Sequence, residues 1–424
     1  MSDVLEISKK INKAWKSDVL TPGNLIPQCP RFSMGTLSSD YALYGGLPEG
    51  KLVVYAGETG SGKSLAACLA VAQYQRVHPD KVCIYVDAEE TLVGQVEWLQ
   101  KMTGLILDGD HFLRYDCTGK AAEEIFDDLK ELQQADNIGL IVIDSAPMLM
   151  TRADMDAPIS KDNGQRASIA KPLGKFIKAM LQPLARAKNT LLIINHIRLA
   201  GTTFTGAKIY TEPCGYSLDY YPCMKVRFAK SKCSCGDKLD IAQTQQDADT
   251  DGIVVTFSVT KNRLGPRNRN GAKIVFRYET GVDTITDLIE IITTYEIAKR
   301  LSTVTWQLVN PLTGEPYLDA ETGKELTFAG KAKMVDYIKT HDAFRAEYEQ
   351  AVSDYINKNN TDISLIDEED LQTILEADKS IEQFYAEMSP EEKNLEIDEG
   401  PSSNNEETKT ENNENADQFE TVDF

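Results

Sequence analysis

The sequence predicts an α/β fold with a mainly parallel central sheet, and three observations support this prediction. Between about Arg31 and Glu290, short apolar runs typical of strands alternate with helical patterns, as expected for βαβ units. One such run, residues 51–56, enters a Gly-rich loop and then a helix-forming segment without Gly or Pro. From about Tyr295 to Met388 the pattern becomes mainly helical, which predicts a second, small domain.

The N-terminal segment predicts an amphipathic helix followed by a proline-punctuated connector. The apolar side chains of residues 3–17 form one stripe at helical spacing, made of Val4, Ile7, Ile11, Ala14 and Trp15. The helix must bury this stripe either on its own subunit or on a neighbouring one. Both alternatives stay open at this point.

Five further strand-like runs follow the Gly-rich loop and are rich in β-branched and aliphatic residues. These runs are Val82–Val86, Leu140–Ile143, Leu191–Ile194, Met224–Phe228 and Ile253–Val259. The last two have no helical pattern between them, so they predict a hairpin. Its enlarged tip, from about Ser231 to Asp251, has no assignment.

The net charge of −21 is unevenly distributed along the 424 residues. Residues 391–424 hold twelve acidic residues and two lysines, with few apolar ones, which predicts a disordered acidic tail. The rest of the chain carries about half of the charge, so composition does not exclude a nucleic-acid partner. We therefore divide the chain into 1–30 (helix and linker), 31–297 (core), 298–390 (C-terminal domain) and 391–424 (tail).

The hydrophobic fraction of 42% is ordinary for a soluble globular protein. No apolar run approaches the ~18 residues of a membrane span, and the N-terminus lacks a signal-peptide pattern. We expect a cytoplasmic protein without a membrane partner. The eight cysteines are interpreted as unpaired thiols. The alternative, a structural zinc site on Cys214, Cys223, Cys233 and Cys235, is disfavoured because strand geometry separates the two pairs.

The Gly-rich loop matches the phosphate-binding pattern G-x-x-x-x-G-K-[ST] at every position. Its glycines let backbone N–H groups turn towards phosphates, and the helix N-terminus adds partial positive charge. The lysine reaches the terminal phosphates and the final hydroxyl ligates Mg²⁺. The motif predicts a nucleoside triphosphate site, and its residues are Gly57, Glu58, Thr59, Gly60, Ser61, Gly62, Lys63 and Ser64.

Polar residues at the ends of three predicted strands complete this site. Asp144 ends a hydrophobic strand, as the carboxylate that fixes the Mg²⁺ shell does. Glu89 follows another strand and could polarise the attacking water, although Asp87 or Glu90 could serve instead. His196 follows a third strand, and it is either a sensor of the γ-phosphate or a core histidine. Because strand ends converge at one sheet edge, these residues should lie together.

Two polar segments and one helix face predict contacts with single-stranded nucleic acid. The segment 201–215 mixes Gly, Thr, aromatic and cationic residues, and the segment 151–168 is similarly polar. Three lysines follow at i, i+4 and i+7, although a merely solvated face would give the same pattern. The candidate contacts are Lys171, Lys175, Lys178, Arg198, Gly201, Thr202, Phe204, Gly206 and Lys208.

Together these motifs resemble the RecA recombinase family, in particular its phage UvsX-like branch. The resemblance covers roughly residues 31–355. Besides the phosphate loop, it is carried by residues 34–50 before that loop, by Asp87-Ala-Glu89, by Asn195-His196, by Lys261-Asn-Arg263 and by residues 328–333. His196 stands where the family has Gln, a substitution that the phage branch shares.

The resemblance implies a RecA-like ATPase core with an N-terminal oligomerisation helix and a small helical or mixed C-terminal domain. It implies a DNA-dependent ATPase that forms helical filaments on single-stranded DNA and exchanges strands with a homologous duplex. It also implies that ATP and Mg²⁺ lie between subunits, that Lys63, Glu89 and His196 are catalytic, and that Lys261 and Arg263 reach the neighbour's ATP. Further implied partners are a single-strand DNA-binding protein and a loading mediator.

Two other functions remain compatible with the motifs. A hexameric DNA helicase shares this ATPase core, although the short N-terminal region and Lys261-Asn-Arg263 favour a filament. A non-catalytic, ATP-gated recombination mediator would bind nucleotide without strand exchange, although Lys63, Glu89 and Asp144 favour an active enzyme.

Overall fold

A computed structural model describes residues 4–16, 19–21, 26, 28–158, 169–202, 208–229, 252–265, 271–320 and 322–361. The chain divides into two units, Met1–Ile363 and Ser364–Phe424. The second unit, with the predicted acidic tail 391–424, lies outside the described residues. So do the hairpin tip 231–251 and most of the segment 151–168, from residue 159 onwards.

The described strands are β1 (Arg31–Phe32), β2 (Leu47–Pro48), β3 (Leu52–Gly57), β4 (Val82–Asp87), β5 (Phe112–Asp116), β6 (Ile138–Asp144), β7 (Thr190–His196), β8 (Arg198–Thr202), β9 (Lys208–Thr211), β10 (Met224–Ala229), β11 (Gly252–Asn262), β12 (Ala272–Arg277), β13 (Gly281–Val282), β14 (Lys299–Arg300), β15 (Thr305–Gln307) and β16 (Thr327–Ala329).

The described α-helices are α1 (Val4–Trp15), α2 (Leu37–Ala42), α3 (Lys63–Val77), α4 (Val96–Thr103), α5 (Ala122–Leu132), α6 (Arg152–Asp156), α7 (Ala170–Ala187), α8 (Ser217–Tyr220), α9 (Thr284–Thr294), α10 (Lys331–Thr340) and α11 (Asp342–Thr361).

The main sheet has the strand order β13-β12-β11-β10-β3-β7-β6-β4-β5 within the described residues. The strands from β10 to β5 in this order run parallel, whereas β11, β12 and β13 continue the sheet in antiparallel pairs. The predicted α/β fold with a mainly parallel central sheet is confirmed. The hairpin predicted from the fourth and fifth runs is also confirmed, as β10 and β11.

Both faces of the central strands are buried, which explains their continuous apolar sequences. Successive side chains of a strand point to opposite faces. On β3, Val53 and Tyr55 accordingly pack in one apolar cluster with α3, while Leu52, Val54 and Ala56 pack in the other with α5 and α7. The two clusters hold the strands so that their carboxyl ends form one edge.

The C-terminal part contains a small antiparallel sheet that the helical pattern did not predict. Strands β14, β15 and β16 form it, and α10 and α11 follow. These strands are two to three residues long, and turns around Gly314 and Gly323 separate β15 from β16, so they give no readable period. The apolar cluster of this part includes Leu288 and Ile291 of α9, so the 297/298 boundary stays a prediction.

The predicted N-terminal helix is present, and its apolar stripe is exposed on this chain. Val4 is 77% exposed, Ile7 44% and Trp15 72%, and no residue of α1 is buried. The described helices also include none with the length and apolarity that a bilayer crossing requires.

Candidate active site at the carboxyl edge of the sheet

The phosphate loop lies between β3 and α3, as the motif predicts. Gly57 pairs with His196 at the ends of β3 and β7, and α3 begins at Lys63. The N-cap residue of α3 is Gly62, which has no side chain to cap the helix, so its first N–H groups remain available to a phosphate. Gly62 has φ +86°, and a Cβ there would approach Val255 Cγ2 to 2.5 Å, which explains the requirement for glycine.

Lys63 lies over the loop. Its Nζ donates hydrogen bonds to the carbonyl oxygens of Gly57 at 3.1 Å and Glu58 at 2.8 Å. Burial lowers the pKa of Lys63, while the nearby charges of Asp144 and Glu89 act in the opposite direction. A buried ammonium held by neutral carbonyls is well placed to exchange them for phosphate oxygens.

Asp144 supplies a carboxylate that fits a magnesium site. It is 1% exposed, and its Oδ2 accepts a hydrogen bond from Tyr85 at 2.6 Å. Its Oδ1 is buried and has no hydrogen-bond donor among the described residues. Burial raises the pKa of Asp144, while hydrogen bonding to Tyr85 and Ser64 opposes this rise. A bare carboxylate oxygen beside the Ser64 hydroxyl matches the oxygen ligands that Mg²⁺ prefers.

Glu89 is held by two polar side chains at the carboxyl ends of β6 and β7. His196 Nε2 lies 2.7 Å from Glu89 Oε1 and 3.1 Å from Ser145 Oγ, and the Ser145 hydroxyl donates to Glu89 Oε1. The hydrogen bond from His196 is the main reason why the pKa of Glu89 is lowered. His196 is thus in contact with the candidate base and is not a histidine of the apolar core.

The two other carboxylates near Glu89 are placed differently. Asp87 is buried, and it pairs with Arg114 at 2.7 Å while accepting the N–H groups of Thr91 and Leu92. Glu90 is exposed, with φ +54°, and it lines a cavity of about 210 Å³ next to Thr118 and Met148. Glu89 is therefore the acid that the fold joins to His196.

Ser145, Tyr85 and Arg114 are site residues that the sequence analysis missed. Ser145 directly follows the strand-end Asp144, and that position was the available signal. Tyr85 and Arg114 sit in strand runs where they resemble ordinary strand residues, and only the register of β4 with β5 and β6 brings them to the acids.

Lys261 and Arg263 lie beside the amino-terminal half of β3, away from the phosphate loop of their own chain. Lys261 pairs with Lys225 on β10, and Arg263 N–H donates to the carbonyl of Cys223, whose own N–H donates to Leu52. Arg263 is thus level with the start of β3, about 16 Å along the strand from Gly57 at its end. The structure does not bring these cations to the ATP site of the same chain.

The described candidate nucleic-acid contacts lie along α7 and the β8–β9 hairpin. Lys171, Lys175 and Lys178 are exposed on one face of α7, and Lys178 Nζ lies 5.8 Å from the centre of the Tyr221 ring. Arg198 is exposed at the start of β8. Outside the described residues or side chains lie Phe204, Gly206, Thr202 and Lys208.

The described cysteines include none in a disulfide. Among the described residues no group of three or more His, Cys, Asp or Glu side chains could hold a metal ion. Cys233 and Cys235 of the alternative zinc site lie outside the described residues, so that alternative is untested.

Comparison with known proteins places these features in a family. A model described as the RecA N-terminal domain matches residues 5–283. The mitochondrial DNA repair protein recA homolog 3 of Arabidopsis thaliana is 27% identical over 62% of this chain and 56% of its own length. Protein RecA of Mycoplasma mobile is 26% identical and that of Malacoplasma penetrans 24%, each over 84% of this chain and 96% of the relative.

Proposed function

The chain belongs to the RecA N-terminal domain family, and from that premise we propose that it is a recombinase driven by ATP. It hydrolyses ATP when bound to single-stranded DNA, forms helical filaments on that DNA, and exchanges strands with a homologous duplex. Within the family we assign it to a phage UvsX-like branch, because His196 stands at the switch position. Its place of action is then the host cytoplasm, with a single-strand DNA-binding protein and a loading mediator as partners.

One observation supports the filament above all others: the catalytic groups of one chain lie at two opposite ends of its sheet. Lys63, Asp144, Glu89 and His196 meet at the carboxyl edge, whereas Arg263 lies about 16 Å away along the strands. A cation that neutralises the γ-phosphate must then come from a second copy, as an arginine finger does. Repeating such a head-to-tail contact generates an open helix or a ring.

The carboxyl-edge geometry also suggests how the site responds to ATP. Glu89 is engaged by His196 and Ser145, so the candidate base is restrained in this state. A γ-phosphate offers His196 a stronger acceptor, which frees Glu89 to orient the attacking water. Bound Mg²⁺, held through Asp144 and Ser64, would neutralise charge on the phosphates.

The first test is ATP hydrolysis with and without an oligo-dT strand, with Lys63→Ala as the inactive control. We expect stimulation by the DNA and a large rise in particle mass, and electron microscopy separates filaments from rings. A wild-type chain that stays monomeric and hydrolyses ATP at one slow rate in both conditions contradicts the proposal.

A mixing experiment tests the shared site directly. Glu89→Gln removes the base, and Arg263→Ala removes the cation, so each variant alone should be inactive. In a one-to-one mixture, about a quarter of the head-to-tail interfaces join an intact base to an intact cation, and activity should return to that extent. A mixture as inactive as its components excludes a site built from two chains.

A further inference from the structure

A series of polar contacts at the base of the β8–β9 hairpin connects the carboxyl edge of the sheet to Lys261 and Arg263. It starts next to the candidate switch residue, where the N–H of His196 donates to Asn195 Oδ1 at 3.0 Å. The fully buried Asn195 in turn donates from Nδ2 to Glu212 Oε2 at 3.3 Å and to the Pro213 carbonyl at 3.2 Å. Glu212 directly follows β9, so this contact fixes the base of the hairpin.

Lys225 is the next residue in this series of contacts after Glu212. Its Nζ lies 2.7 Å from Glu212 Oε2 and also contacts Asp219 Oδ1. The Lys225 side chain is only 8% exposed, and a charge so far from water is costly unless it is paired. The lysine therefore holds two carboxylates together that would otherwise repel each other.

The series of contacts ends at Lys261 and Arg263. Lys261 Nζ donates to the backbone carbonyl oxygens of Asp219 at 2.5 Å and Tyr220 at 2.8 Å, and Arg263 Nη2 donates to the Tyr220 oxygen at 2.5 Å. The position of α8 thus sets where both cations point. Lys225 is the side chain that ties α8 to Glu212.

From this connectivity we propose that Glu212 and Lys225 are positioning residues that couple His196 in one ATP site to Lys261 and Arg263 in the next. The inference rests on the proposed function. A displacement of His196 moves Asn195 and the base of the hairpin, and Lys225 transmits the change to α8 and the two cations. DNA held by the hairpin acts on the same series of contacts. DNA and ATP therefore strengthen each other's binding reciprocally.

The test measures the ratio of ATP hydrolysis with and without oligo-dT in four variants. Lys225→Met and Glu212→Gln should lower the DNA-stimulated rate about tenfold, within the usual range of coupling, and leave the unstimulated rate within about twofold. Lys225→Arg, which keeps a cation between the carboxylates, should restore stimulation. Lys273→Met is the matched control because it removes the lysine of another ion pair of the same sheet, with Glu290 at 3.6 Å, that has no contact with this path, and it should behave as wild type.

Each outcome has a distinct meaning. Wild-type stimulation in Lys225→Met or Glu212→Gln overturns the inference, and so does an equal loss in Lys273→Met, which would mean that the loss of any ion pair of the sheet has this effect. If thermal melting shows that Lys225→Met does not fold, the isosteric Glu212→Gln decides. A wild-type chain without DNA stimulation contradicts the proposed function itself and is therefore distinguishable.

Discussion

At the scale of single residues, the fold distinguishes three acids that the strand-end pattern alone leaves equivalent. Asp87 is committed to Arg114 and two backbone N–H groups, and Glu90 is exposed at the rim of a cavity. Glu89 is joined to both His196 and Ser145. Of the three acids, Glu89 is therefore the one that these two side chains at the carboxyl edge orient.

Replacing Glu89 by Gln should therefore abolish hydrolysis and preserve nucleotide binding. The amide keeps the shape and the hydrogen bond from Ser145 but cannot take a proton, so we expect the turnover number to fall by about 10²–10⁴-fold. Phosphate release measures turnover, and calorimetry with a slowly hydrolysed ATP analogue measures binding. Glu90→Gln is the matched control, and a loss of similar size in that variant would contradict the assignment.

Two glycines of the phosphate loop offer a second comparison at this scale. Gly62 and Gly60 both have positive φ, +86° and +74°, but an added Cβ meets Val255 Cγ2 at 2.5 Å only in the case of Gly62, and it meets nothing within 4 Å at Gly60. Gly62→Ala should therefore be less stable than Gly60→Ala by about 1–3 kcal/mol, the usual cost of overpacking. Urea denaturation measures the difference, and equal stabilities would contradict it.

At the scale of elements, the sequence leaves open which surface covers the apolar stripe of α1. Its spacing predicts an apolar stripe with two alternative partners. On this chain the stripe is exposed, with Val4, Ile7 and Trp15 uncovered. A neighbouring copy is the partner that the proposed filament supplies.

The double variant Ile7→Glu, Ile11→Glu should prevent assembly without destabilising the monomer. The two side chains are 44% and 36% exposed, so the fold loses little buried surface, whereas two charges in an apolar contact between copies are costly. Light scattering with ATP and oligo-dT measures assembly, and the melting midpoint measures stability. Lys9→Glu changes the net charge equally on the opposite face of α1, and equal loss of assembly in that variant would contradict a role of the stripe.

The elements that sequence reasoning found are those with a strong period or motif. The strand runs, the β10–β11 hairpin and the loop 57–64 lie where predicted. The β14–β16 sheet was missed because its strands are shorter than any readable period. Contacts such as Glu89 with Ser145 or Asn195 with Glu212 depend on strand register, which the apolar pattern alone does not give.

At the scale of the whole molecule, two acids lie at α2, the helix against which the apolar cluster of the C-terminal part packs. Asp287 of α9 accepts the Ser38 N–H of α2 at 3.3 and 3.2 Å, and Asp40 of α2 accepts from Ser33 Oγ at 2.6 Å. Loss of water around them raises the pKa of Asp287 to about 7 and that of Asp40 to about 6. The apolar cluster of the C-terminal part packs against the same helix through Leu37 and Tyr41.

These two acids should make the protein less stable as pH rises from 5 to 8. A carboxyl whose folded pKa lies above its unfolded value binds its proton more tightly when folded. Its contribution is full below the unfolded pKa of about 4 and is lost as pH rises through the folded value, at about 1.4 kcal/mol per pKa unit. Glu89 and Asp283 have lowered pKa values, so they change the free energy of unfolding only below pH 5. Urea denaturation at several pH values measures the slope.

Asp287→Asn isolates the source of that slope. The amide oxygen can still accept the Ser38 N–H but carries no titratable proton, so the free energy of unfolding should depend less on pH between 5 and 8. Asp336→Asn, at an exposed position of α10, should leave the slope as in wild type. If Asp287→Asn leaves the pH dependence of the free energy of unfolding unchanged, the proton that causes it is not held by Asp287 at the contact of α9 with α2. That result would contradict the assignment.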